Sequence, residues 1–201
     1  MIALVDYGAG NLTSVRKALT SLGADFVVPR SPEECRPARG LIVPGVGNFG
    51  ATSRLDEPWR QAIGLAAESG VPLFGICVGM QWLFEGSDEA PDARGLGTIV
   101  GRITRLEGNA TERLKVPHVG WNSLDFRGPS RLLAGLSTGV QVYFTHSFAA
   151  PITPECVAST THANTFSSVV ERANVFGVQF HPEKSGDAGL RILRNFLEVC
   201  L

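Results

Sequence analysis

Gly75-Ile76-Cys77-Val78-Gly79 places a cysteine between an apolar run and a helical pattern, with the G-x-nucleophile-x-G spacing of an elbow. A nucleophile held in a strained backbone needs neighbours without side chains two positions away on each side, so that the turn can close. The same turn sets Cys77 at a helix N-terminus, where the dipole and free N–H groups favour the thiolate. It also aims the Val78 N–H at the place where an oxyanion would form. About a hundred residues later, Gly177-Val178-Gln179-Phe180-His181-Pro182-Glu183 supplies an imidazole and a carboxylate. Pro182 restricts His181 to extended backbone, and alternation along an extended segment brings 181 and 183 to one side. Attack on an amide requires the departing nitrogen to be protonated, so an imidazole oriented by a carboxylate completes the set. Cys77 is then the nucleophile, His181 the base and acid, and Glu183 the orienter.

The rivals lack such frames. Cys35, Cys156 and Cys200 read as buried structural thiols, and all four cysteines are expected to be reduced, with no CxxC pairing for zinc. His118, His146 and His162 have no carboxylate close behind them and read as ordinary hydrogen-bonded histidines. Pro44-Gly45-Val46-Gly47-Asn48-Phe49-Gly50 follows a strand, at the edge where open α/β sheets hold ligands. Its glycines suit either a tight turn or close approach of backbone amides to a substrate. Beside Cys77 the second reading gains, with the Val46 N–H as an oxyanion donor. Asp6-Tyr7-Gly8-Ala9-Gly10-Asn11 starts like a dinucleotide fingerprint, but Thr13 stands where the third glycine belongs. It reads as a turn and helix cap, with Asn11 a candidate for a partner-facing rim.

These residues need a scaffold, and the first half of the chain supplies one by alternating apolar runs with helical patterns, as in a parallel sheet with crossover helices. Ile2 to Val5, Phe26 to Val28, Leu41 to Val43 and Val71 to Ile76 are the expected strands. Leu12, Val15, Leu19 and Leu22 share a helix face that Asn11 can cap and Gly23 can end. Ser31 to Glu34 reads as a capped turn, and Glu57 to Glu68 and Gly79 to Phe84 as helices. From Gly97 onward the texture changes to strands, expected at Thr98 to Leu106, Val140 to Phe148, Val157 to Thr161, Phe166 to Arg172 and Val175 to Phe180. A closing helix puts Leu190, Leu193, Phe196, Leu197 and Cys200 on one face, with Ser185 or Asp187 as its cap. An α/β fold with a mostly parallel central sheet, helices on its faces and an antiparallel portion in the C-terminal half follows.

A length of 201 residues suits one domain, 1–201, with a proper core. The formal net charge of −1 leaves no basic stripe for nucleic acid. Met1 to Asp6 runs into a strand without a basic leader, and no apolar run reaches spanning length, so no membrane and a cytoplasmic setting are expected. The sequons at Asn11 and Asn109 therefore carry no weight. No metal or other cofactor is called for.

The chain resembles class I glutamine amidotransferases, through PGVG at Pro44 to Gly47, GICVGMQ at Gly75 to Gln81 and GVQFHPE at Gly177 to Glu183. Within that class it is similar to the glutaminase subunits of imidazole glycerol phosphate synthase. The segments that carry this finer resemblance are DYGAGN, FEGSDE (Phe84 to Glu89), VPHVGWN (Val116 to Asn122), YFTHSF (Tyr143 to Phe148) and Lys184-Ser185-Gly186. Val78 and Val119 depart from the commoner Leu and Met, Thr145 from an aliphatic, and Phe148 from Tyr.

The resemblance implies the three-layer fold of that class and hydrolysis of glutamine, with Gly45, Gly47, Gln81, Glu89, Ser147 and Phe148 around the substrate. It further implies that the ammonia passes to a separate cyclase subunit, a (β/α)8 barrel in a heterodimer, which makes imidazole glycerol phosphate and AICAR from PRFAR in histidine biosynthesis. Asn11, Trp121, Asn122, Tyr143 and Lys184 are the candidates for that interface, and Trp82 for the core. The alternatives are a glutaminase serving another synthase, such as that of anthranilate or pyridoxal phosphate, or a cysteine amidase or peptidase that needs no partner.

Overall fold

The computed structural model describes residues 1–108 and 115–201, so the sequon at Asn109 lies outside the described residues. The first half comprises β1 (Ile2–Leu4), α1 (Leu12–Ser21), β2 (Phe26–Val27), β3 (Leu41–Gly45), α2 (Glu57–Glu68), β4 (Leu73–Cys77) and α3 (Val78–Trp82), with 3-10 turns at Pro32–Cys35 and Phe49–Arg54. The second half holds β5 (Gly86–Ser87), β6 (Ala90–Arg94), β7 (Arg102–Arg105), β8 (His118–Ser123), β9 (Asp125–Phe126), β10 (Gln141–His146) and β11 (Phe148–Ala149). It ends with β12 (Cys156–His162), β13 (Asn164–Arg172), β14 (Val175–Val178), a 3-10 turn at Pro182–Lys184 and α4 (Gly186–Val199).

An eight-stranded sheet runs in the order β2-β1-β3-β4-β14-β13-β12-β9. From β2 to β14 its pairs are parallel, and from β14 outward they are antiparallel. The mixed sheet thus has the parallel N-terminal and antiparallel C-terminal portions expected of an α/β fold. Its strands alternate faces with period 2. Leu4, Ile42, Phe74, Ile76, Phe176 and Val178 pack on one side with α1 and α4, while Ala3, Val5, Leu41, Val43 and Leu73 pack on the other with α2 and α3. Burial on both faces explains why these strands read as apolar runs rather than as alternation.

The helices follow from their apolar stripes. In α4, Ile192, Leu193 and Phe196 are fully buried, and Phe196 sits 5.0 Å from the Phe74 ring. Leu190 and Leu197 lie at the edge of that stripe, half-buried. Asp56 caps α2 by accepting a hydrogen bond from Trp59 N–H at 3.3 Å.

Other expected caps take different partners. Asn11 stands at the start of α1 but makes no capping bond, because its Nδ2 donates to Ser14 Oγ. Ser31 precedes its 3-10 turn without capping it. Ser185 stands before α4, yet its hydroxyl donates to the His181 carbonyl at 2.7 Å and accepts from Tyr143 N–H at 3.0 Å. Asp187 lies in the first turn of α4, where it faces the positive end of the dipole.

Two smaller sheets stand beside the large one, β10 with β8 and β11-β7-β5-β6. Gly120-Trp121-Asn122 belongs to one of them. It is the middle of β8, with Trp121 directly opposite Tyr143 of β10.

Candidate active site

The parallel ladder of the large sheet builds the site. β4 lies between β3 and β14, with Gly45 paired to Cys77 on one side and Ile76 to Val178 on the other. Three neighbouring strands thus end together, and the loops carrying Val46, Cys77 and His181 leave from one edge. Residues 77 and 181 meet because their strands are adjacent.

Cys77 has φ 54 and ψ −111, a left-handed backbone that a residue with a side chain adopts at a cost of about 1–3 kcal/mol. The flanking glycines explain how the turn closes. A Cβ on Gly79 would run into the Val43 carbonyl, and one on Gly75 into the Gly79 backbone. Val78 opens α3, whose first N–H groups have no partner inside the helix.

His181 Nδ1 lies 2.8 Å from Glu183 Oε1, and both side chains are buried. Burial alone would lower the imidazole pKa, but hydrogen bonds to the Cys77 sulfur and the Glu183 carboxylate outweigh it and push the value up to about 10. His181 Nε2 has no well-aligned partner among the described residues, so its bond to the Cys77 sulfur is a poorly directed one. A second group also reaches the sulfur: the fully buried Gln179 donates from Nε2 to Cys77 Sγ at 3.7 Å.

A pocket of about 430 Å3 opens over Cys77 and His181. Its walls include Val46, Gly47, Gln81, Glu89, Ser147 and Phe148, while Asn11 and Lys184 stand at its side. Gln81 Nε2 donates to the Phe148 carbonyl at 2.9 Å and to Gln179 Oε1 at 3.1 Å, leaving Gln81 Oε1 buried without a partner among the described residues. Glu89 Oε2 accepts from Phe49 N–H at 2.7 Å.

Gly45 does not reach the pocket. It packs beneath it against the Tyr7 hydroxyl and Val78. Nor is the Val46 N–H turned toward the sulfur, because it donates to the Ala9 carbonyl at 2.7 Å. The loop after β1 packs on the PGVG loop and supplies an acceptor that a backbone amide would otherwise lack.

Sequence reasoning passed over Pro117, Thr145 and His146, which also line the pocket. They lie in the PHVGWN and YFTHSF segments, and the signal was present in those segments but not in the residue types. The remaining thiols stay apart from this chemistry. Burial pushes Cys35 up to about 11 and Cys200 up to about 12, and it raises Cys156 as well. A second cleft, of about 430 Å3 between the Pro32–Cys35 turn and α2, is lined by Glu33, Cys35, Arg36, Pro58, Ala62 and Leu65.

The rim beside the pocket is aromatic. Trp121 is 56% exposed and meets the Tyr143 ring edge-on at 6.1 Å, with Lys184 Nζ 6.0 Å from that ring. Asn122, next on β8, is half-buried, and Val119 is exposed. Trp82 is fully buried in the core. Among the described residues no group of histidine, cysteine or acidic side chains is arranged to hold a metal ion. Among the described residues no helix is long and apolar enough to cross a membrane.

The model of the family "Glutamine amidotransferase class-I" matches residues 3–200. The chain is 48% identical to imidazole glycerol phosphate synthase subunit HisH of Geobacillus kaustophilus, over 99% of this chain and 97% of that one. It is 47% identical to the subunit of the same name from Halobacterium salinarum, over 99% and 93% of the two chains. With the subunit from Methanosarcina acetivorans it shares 44%, over 99% and 98%. Among solved structures, a glutamine amidotransferase superposes with a TM-score of 0.75 at 22% identity, covering 100% of this chain and 99% of that one. PurLQS from Thermotoga maritima gives 0.71 at 20%, covering 98% and 97%. The elbow cysteine, the His–Glu pair and the pocket thus sit on a fold and in a sequence with one shared ancestry, and the chain belongs to the class I glutamine amidotransferase family, in the branch of the imidazole glycerol phosphate synthase subunits HisH.

Proposed function

We propose that this chain hydrolyses glutamine to glutamate and ammonia and delivers the ammonia to a separate cyclase subunit of imidazole glycerol phosphate synthase, in histidine biosynthesis. The observation that carries this reading is the strained Cys77 facing a buried His181–Glu183 pair at the floor of a pocket bordered by Gln81 and Glu89. Cys77 sulfur attacks the side-chain carbonyl carbon of glutamine, and the Val78 N–H stabilises the oxygen as it becomes negative. His181, held protonated by its neighbours, gives its proton to the leaving nitrogen, so that ammonia departs from the tetrahedral adduct and leaves a thioester at Cys77. It then takes a proton from the incoming water, whose oxygen attacks the thioester carbon and frees glutamate and the sulfur. Glu89 offers a carboxylate to the α-ammonium group of glutamine.

The cyclase, a (β/α)8 barrel in a cytoplasmic heterodimer, docks on the rim of Asn11, Trp121, Asn122, Tyr143 and Lys184, so that ammonia passes without meeting bulk water. The Val46–Ala9 hydrogen bond supports a resting gate. While it holds, one oxyanion donor is occupied, and docking that turns the Val46 amide toward the pocket would complete the hole.

The test is Cys77→Ala assayed with the cyclase. Loss of glutamine-dependent product with ammonia-dependent product retained is the expected result. Retention of both overturns the assignment of Cys77.

A further inference from the structure

Two buried histidines outside the triad remain without a task. His118 and His146 are 3% and 7% exposed, and they lie opposite each other on β8 and β10. His118 Nδ1 and His146 Nε2 are 3.0 Å apart. His146 Nδ1 lies 2.9 Å from the Phe148 carbonyl, and His118 Nε2 lies 3.3 Å from Asn122 Nδ2.

These contacts fix every proton. A carbonyl can only accept, so His146 Nδ1 carries hydrogen, and a neutral His146 then offers Nε2 as acceptor. Asn122 is oriented by its other bonds, with Nδ2 donating to Thr161 O at 3.1 Å and Oδ1 accepting from Ser123 N–H at 2.8 Å. His118 Nε2 therefore accepts, and its Nδ1 donates to His146. Donation runs one way, from Asn122 through both rings to the Phe148 carbonyl.

That carbonyl also accepts from Gln81 Nε2, so both its lone pairs are engaged. The same Gln81 nitrogen bridges to Gln179, and the amide cannot rotate without losing both bonds. Its oxygen is thereby left as an acceptor for the pocket. If the Phe148 carbonyl drifted, the amide could turn over and present a donor instead, which repels an ammonium group.

Given glutamine as the ligand of this pocket, we propose that His118 and His146 are positioning residues: by pinning the Phe148 carbonyl they lock the Gln81 amide with its oxygen toward the substrate's α-ammonium group. Neither ring needs to touch the reacting atoms. A purely structural pair would lower stability and active fraction and leave the KM for glutamine unchanged, whereas a positioning pair raises KM.

The experiment measures glutamine hydrolysis by the complex with its cyclase, together with thermal unfolding of each variant. His146→Phe and His146→Gln remove the donor to Phe148, and each is expected to raise KM about tenfold with kcat reduced by less than about threefold, the loss of one buried hydrogen bond. In His146→Asn the amide nitrogen can stand in for Nδ1, and it is expected to restore KM to within about twofold of wild type. Should the His146 variants fail to fold, His118→Phe, which keeps the stacking on Phe144, carries the same expectation against His118→Asn.

An unchanged KM overturns the proposal, as does His146→Asn behaving like His146→Phe, or losses confined to kcat and melting temperature. Failure of the glutamine reading looks different: the wild-type complex would then consume no glutamine, and the proposal would fall with it.

Discussion

Cys77 and its partners are where single atoms decide the outcome. Glu183 holds His181 Nδ1 at 2.8 Å, which fixes the face of the ring presented to the sulfur. Glu183→Gln keeps the shape but removes the charge, and kcat is expected to fall on the order of a hundredfold or more, with KM for glutamine changed little in steady-state assays. The buried histidines make a separate prediction about acid. Burial first, and neighbouring histidines second, push His118 down to about 3, while burial pushes His146 down to about 4. An unfolded histidine takes up its proton near about pH 6.5. The unfolded chain therefore binds more protons than the folded one between those values, and stability is expected to fall as pH drops from about 6.5 toward about 4. Urea midpoints measured across that window test this, and the slope should flatten in a His118→Phe, His146→Phe double variant. His181 runs the other way, with stability present below about pH 6.5 and lost as pH rises through about 10. At this scale Cys77, His181 and Glu183 could be singled out as candidates in the sequence, because each has a distinctive local frame. It could not separate His146 from an ordinary histidine, because the neighbours that give that ring its place come from another strand.

Elements carry the next level of control. The elbow works because β4 ends against β3 and α3 starts at once, with Gly79 lying on the Val43 carbonyl. Gly79→Ala must push that backbone away, and a loss of about 2–4 kcal/mol is expected together with loss of glutaminase activity. Chemical denaturation reads the first and a glutamine assay the second; an alanine variant as stable and active as wild type would show that the approach is not tight. The strands of the parallel sheet and the bounds of α2 were legible in the sequence, since apolar runs and a helical stretch are local signals. The short strands β5, β6 and β9 and the pairing of β8 with β10 were not. They are held by partners distant in sequence, and glycines and polar residues such as those of Gly86–Ser87 give no strand pattern of their own. Ser185 shows the same limit. The residue type suits a helix cap, but the buried His181 carbonyl took its hydroxyl.

For the molecule as a whole, the aromatic rim beside the pocket is the proposed docking face for the cyclase. Trp121→Ala and Lys184→Ala are expected to weaken association with the cyclase by about 1–2 kcal/mol each or more, with melting temperature of the free chain nearly unchanged. Titration calorimetry and thermal unfolding together test that, and a Trp121→Ala variant that binds as tightly as wild type would move the interface elsewhere. Cys77 ends β4, and His181 and Glu183 follow β14, the strand paired with it, whereas Val46 hangs from the loop after β3 and Trp121 from a separate two-stranded sheet. Mutation can therefore reshape what the rim recognises while the cutting tool stays in register. Descendants of one ancestral glutamine splitter could in this way be apprenticed to new synthases, each learning a different customer with the same blade.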